Sequence, residues 1–173
     1  MQFDLNKSIE ILERTPLVLM SLLGGLSEEW TMQNEGPDTW SCYDIIGHLV
    51  HGEKTDWMPR TRIILSNNGD KHFIPFDRFA QYNDSKGKTM QQLLDEFSML
   101  RKQNIDELKS FKITAADLQK TGIHPTFESV TLQQMLATWT AHDLNHLAQI
   151  SRVMAKQYKE EAGPWVAFLK ILQ

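Results

Sequence analysis

Thiols are almost missing from this chain, since Cys42 is the only cysteine among 173 residues. No intramolecular disulfide can form, and a zinc site built from several thiolates is excluded with it. A basic run is missing too. Lys and Arg number 18 against 22 Asp and Glu, a net charge of −4 scattered along the chain. Nucleic acid and anionic membrane surfaces both need clustered positive charge, so neither is expected as a partner. Long hydrophobic runs are also absent. Leu17 to Leu26 is broken by Ser21, Gly24 and Gly25, well short of the about 20 apolar residues that a membrane span requires. The first ten residues carry acidic groups where a secretory signal has a basic patch, which points to the cytoplasm. Alternating Val/Ile/Thr runs bounded by hairpin turns, the mark of strands, are scarce as well.

What is present is ordinary globular material, 41% hydrophobic and 23% charged. The length suits one domain, residues 1–173, which on folding hides about 70% of the surface of the unfolded chain. Helix punctuation is abundant. A first helix is expected from Asn6 to Leu23, with Thr15-Pro16 in its middle able to kink or restart it. Ser41 with Asp44, Thr89 with Gln92, Thr114 with Asp117 and Thr131 with Gln134 are spaced as capping boxes, each opening a helix. The Ser41 helix should run to about Ser66 with a bend at Pro59, the Thr89 helix to about Ser110 and the Thr131 helix to about Tyr158. A short helix is expected at Trp165 to Leu172, and irregular chain at Gly122 to Val130. The aromatic connection through Phe73, Phe76, Phe79 and Tyr82 should pack as a lid or wall. The fold class is all-α, a four-helix bundle with short accessory helices.

The chemistry sits where apolar residues should be. Winding the Thr131 helix at about 100° per residue gathers Leu132, Leu136, Trp139, Leu147, Ile150 and Met154 on one face, and His142, Asp143 and His146 fall on or beside it. Burying those groups without partners is unfavourable by about 1–3 kcal/mol or more each, so something must satisfy them. An i, i+4 histidine pair can present two nitrogens to one metal ion; equally, two core histidines can bond to buried polar groups. On the Ser41 helix, His48 flanks the apolar face with Gly52 beside it, and His51 points more toward water. Glu53 lies in the middle of that face, either in an ion pair with Arg60 or Arg62 or as a base or acceptor near the site. His72 and His124 fall in loops, and Cys42 reads as a small buried hydrophobe.

Trp40-Ser41-Cys42-Tyr43-Asp44-Ile45-Ile46-Gly47-His48-Leu49-Val50-His51-Gly52-Glu53, taken with Ala141-His142-Asp143-Leu144-Asn145-His146-Leu147-Ala148-Gln149-Ile150, resembles the DinB-like (DinB/YfiT) superfamily of four-helix-bundle metal proteins. The likeness extends from Glu13-Arg14-Thr15-Pro16 to Gly163-Pro164-Trp165. It implies one divalent metal ion bound by His48, His142 and His146. The superfamily shares a historical name with a DNA polymerase but not its fold, so no DNA chemistry is implied.

Three neutral imidazoles would leave the ion its full charge and at least one open position, as in catalytic sites. Zinc or nickel suits such ligands. Two chemistries follow from the resemblance, transfer of a low-molecular-weight thiol as co-substrate and hydrolysis of a small-molecule substrate, with transfer placed first. Glu53 and Asp143 are the candidates for a general base or for supporting the ligands. A non-catalytic, stress-associated metal or small-ligand binding protein is the alternative reading. Relatives often pair through helices, so a homodimer is expected, and the apolar end Trp165, Val166, Phe168, Leu169, Ile171 and Leu172 could serve core or interface.

Overall fold

A computed structural model describes residues 1–173. Helix α1 spans Leu5–Leu23, capped by Asp4, whose carboxylate accepts from the amides of Asn6 and Lys7. Short α2 (Glu28–Met32) leads to α3 (Cys42–Thr55) and α4 (Trp57–Leu65). After short α5 (Gln81–Asp84) come α6 (Met90–Ser110), one-turn α7 (Ala115–Leu118) and α8 (Leu132–Lys156). All four expected capping boxes form, with the Ser or Thr side chain accepting from the backbone three residues on and the Asp or Gln reaching back. The bundle is a ring in which α1 packs on α6 and α8, and the α3–α4 pair closes the other side against the same two helices. No helix is long and apolar enough to cross a membrane.

Two prolines act differently from expectation. Pro16 does not restart α1, which runs through it as one helix. The bend expected at Pro59 lies at Asp56, which adopts φ −111° and ψ −74° between α3 and α4. A proline ring collides with the carbonyl four residues before it, here Thr55, so the helix gives way just after that residue. Pro59 is then in the first turn of α4, where its missing N–H is no loss.

The stretch expected to be irregular is a small antiparallel hairpin, β1 (Thr121–His124) with β2 (Glu128–Thr131), Gly122 opposite Val130. His72 joins it through a bridge to Ile123. Gly122 makes this possible, because a Cβ there would stand 2.3 Å from the Phe73 ring. The chain end is also tighter than expected, two 3₁₀ turns at Gly163–Ala167 and Lys170–Leu172. Leu172 enters the core, whereas Trp165 and Phe168 are exposed.

The core is in two halves. One gathers Leu12, Trp57, Met58, Ile105, Leu136 and Trp139, the other Leu19, Leu23, Ile45, Leu49, Phe97 and Ile150. Between them lies a buried polar layer of Glu53 from α3, Arg101 and Asn104 from α6 and Asp143 from α8, joined from α1 by the Leu12 carbonyl. Arg101 is the centre of this layer. One terminal nitrogen donates to Asp143 Oδ2 (2.5 Å) and the Leu12 carbonyl (2.8 Å), the other to Glu53 Oε1 (2.8 Å) and Asp143 Oδ1 (3.0 Å). Glu53 also accepts from Asn104 Nδ2 (2.9 Å) and Trp139 Nε1 (3.2 Å). Buried ions are tolerated when satisfied to this degree.

Candidate metal centre

Where α3 faces α8, three imidazoles meet. Nε2 of His142 lies 3.1 Å from Nε2 of His48 and 3.1 Å from Nε2 of His146. All three ligand-capable atoms fall within 4.8 Å of one another. The i, i+4 spacing stacks His142 over His146 on α8, and His48 reaches them across the bundle. His48 and His146 are buried and His142 is half-buried. The edges of Phe76 and Trp57 pack on His48 and His142, and Trp40 lies against His48.

These rings are neutral at physiological pH. Burial, reinforced by the neighbouring histidines, pushes His48 down to about 3. The same causes, with the Arg101 charge, push His142 to about 3. Burial also lowers His146, against the opposing pull of Gln149 and Asp143. Gln149 Oε1 stands 2.8 Å from His146 Nδ1. An acceptor there keeps the proton on Nδ1 and leaves Nε2 a lone pair. The Nδ1 atoms of His48 and His142 are buried without a partner.

Glu53 and Asp143 do not join the histidines; both carboxylates are held by Arg101 in the polar layer. The partner of Glu53 is therefore neither Arg60, which pairs with Asp56, nor Arg62, which pairs with Glu107. His51, expected at the surface, is buried with Nδ1 3.0 Å from Asp84 Oδ2. The cause is α5, which lies over that side of α3 because Gly47 offers no side chain. A Cβ there would meet Ser85 Oγ at 2.4 Å. His72 is exposed, and His124 borders a cavity. Cys42 is buried with its thiol pushed up to about 11 by burial, which makes it inert. The first half of the aromatic connection is a wall, with Phe73 in the core and Phe76 on His48, whereas Phe79 and Tyr82 are exposed.

Two cavities open on the histidines from different sides. The first, about 330 Å³, is reached from His48 and His142 and walled by Trp57, Phe73, Phe76 and Phe127, with Asp56 and Arg60 as its charged groups. The second, about 460 Å³, is reached from His48 and His146 and is polar, lined by Trp40, Arg78, Gln149 and the ion-paired Glu35 and Arg152. Asp56 and Arg78 carry no signal of their own in the sequence, and Arg60 is legible there only as a candidate partner for Glu53. Only the helix break forced by Pro59 hinted that Asp56 leaves the regular helical face.

Comparison with known proteins gives three findings. Residues 11–150 match the family model described as the DinB superfamily. YfiT from Bacillus subtilis, described as a probable metal-dependent hydrolase with an unusual four-helix bundle topology, superposes with a TM-score of 0.75 at 19% identity, covering 88% of this chain and 87% of that one. No curated protein matches in sequence.

Proposed function

The chain belongs to the DinB superfamily, and from that premise we propose that it is a metal-dependent enzyme whose divalent ion, zinc or nickel, is held by His48, His142 and His146. The observation that carries this reading is the convergence of three Nε2 atoms on neutral rings. Donors about 2.0–2.1 Å from a tetrahedral ion stand about 3.3 Å apart, close to the 3.1 Å of two of the three donor pairs here, the third lying within 4.8 Å. Imidazoles that refuse protons are ready to coordinate without first losing one. An ion held there supplies a Lewis acid with an open position, lowering the pKa of the thiol or water that enters it.

The chain's own residues favour a two-substrate reaction. His48 faces both cavities, His142 the aromatic one and His146 the polar one. A small polar thiol and an apolar electrophile can therefore reach the histidines from different sides. The sulfur bonds to the electrophilic carbon, the leaving group departs with its electron pair, and the thiol proton passes to solvent. Glu53 and Asp143 take no part as a base in this scheme, because Arg101 occupies them. Hydrolysis is the second reading, favoured by the description of the YfiT structure.

Metal-loaded protein, metal-free protein and the His146→Ala variant, assayed for conjugation of bacillithiol, mycothiol, glutathione and coenzyme A and against ester and amide panels, test the proposal. Acceleration that requires both the metal and His146 is expected with a thiol. Acceleration only in the hydrolysis panels selects the second reading. Equal rates for all three preparations make the protein a metal or ligand carrier.

A further inference from the structure

The protein satisfies two buried ionic clusters to different degrees. Around Arg101 the terminal nitrogens make four hydrogen bonds and both carboxylates are engaged, leaving only its Nε without a partner. Around Arg60 the charge is left under-satisfied. Asp56 and Arg60 are each only 9% exposed, and Arg60 Nε lies 2.6 Å from Asp56 Oδ1. The contact is not aligned as a hydrogen bond, so both atoms lack a bonded partner. The guanidinium otherwise rests on the Phe73 ring. Burial dominates both groups, raising the pKa of Asp56 and lowering that of Arg60 despite the opposite charge beside each. Arg60 Nε and Asp56 Oδ1 face only each other, so a ligand in the cavity would be met by the remaining Arg60 N–H groups and the other Asp56 oxygen. A desolvated pair is costly unless further groups complete it. Both groups line the aromatic cavity that ends at His48 and His142.

We propose that the Asp56–Arg60 pair is the recognition element of this cavity, selecting a neutral, planar, apolar molecule that carries an amide-type head. An acceptor on the head takes an Arg60 N–H, and an adjacent donor gives to the Asp56 carboxylate. A carboxylate head gains Arg60 but meets Asp56, and an ammonium head gains Asp56 but meets Arg60, so the pair as a whole favours neither charge. His124, one of the titratable groups beside the pair together with His51, His48 and His142, is lowered by burial and by Arg60 and adds no charge at neutral pH. Trp57, Phe73, Phe76 and Phe127 fit a flat body, and the volume of about 330 Å³ is at the small end of ligand cavities. The inference rests on the proposed function only for the reacting end, which would point at His48 and His142.

Calorimetric titration of the purified chain, with and without its metal, against benzamide, benzoate, benzylamine and ethylbenzene tests it. Benzamide should bind about tenfold or more tighter than each of the others, as expected for hydrogen bonds to charged groups. Asp56→Asn and Arg60→Met should each erase that preference. Benzoate, benzylamine or ethylbenzene binding as tightly as benzamide overturns the proposal, as does failure of all four to bind. The four-ligand comparison on the unaltered chain decides even where a variant does not fold. Metal content of the same sample separates the two ideas. A benzamide preference in protein that takes up no metal keeps this pocket and removes the enzyme reading, whereas bound metal without the preference does the reverse.

Discussion

Arg101 donates a hydrogen bond of 2.8 Å to the carbonyl of Leu12, the one carbonyl of α1 whose regular helical donor would be the absent N–H of Pro16. The proline thus creates the acceptor and the arginine fills it, tying α6 to α1 at the level where Glu53 and Asp143 are also held.

Removing that arginine strands two buried carboxylates and a carbonyl. Arg101→Met should destabilise the protein by about 3–5 kcal/mol, as when one partner of a buried ion pair is lost. Pro16→Ala in the same background restores a donor to Leu12 and should recover about 1 kcal/mol. Urea unfolding checks both. A loss under about 1 kcal/mol for Arg101→Met would show that the layer is not held as described.

Acid should weaken the metal-free fold. His48 and His142 are held to about 3 in the folded chain, against about 6.5 when unfolded. Below about pH 6.5 the unfolded chain therefore binds protons that the folded chain refuses. Stability is full above that pH and falls as the pH drops toward 3, each histidine contributing a slope of up to about 1.4 kcal/mol per pH unit. Urea midpoints of chelator-treated protein at pH 7.5, 6 and 5 should decline in that order, and a flat or rising series contradicts the neutral, buried rings.

Gly122→Ala should cost about 1–3 kcal/mol, because the new methyl group collides with Phe73, itself packed in the core. The same displacement should alter the aromatic cavity, of which Phe73 is a wall. A wild-type thermal midpoint for this variant would mean that the hairpin does not press on Phe73.

The capping boxes and the helices they open could be read from the chain because those signals are local, a Ser or Thr and its partner three residues on. The histidines could be read as polar groups on an apolar stripe. The hairpin escaped because β1 and β2 have four residues each and no alternation, and its anchor is Phe73, distant in the chain. His51 was misplaced for a similar reason, since a helical wheel shows the face turned from the bundle but not α5 lying over it. Arg101 has no local signature at all. Its partners come from three other helices, and only the proline in α1 marks where an unpaired carbonyl would be.

Metal content per chain is the most direct test of the central claim that three neutral imidazoles form a divalent-metal site. Elemental analysis of protein freed of any affinity tag should find about one zinc or nickel ion per chain, the stoichiometry of a single three-histidine site. The His142→Ala/His146→Ala variant should carry almost none. A metal content unchanged in that variant would place the ion elsewhere and contradict the account.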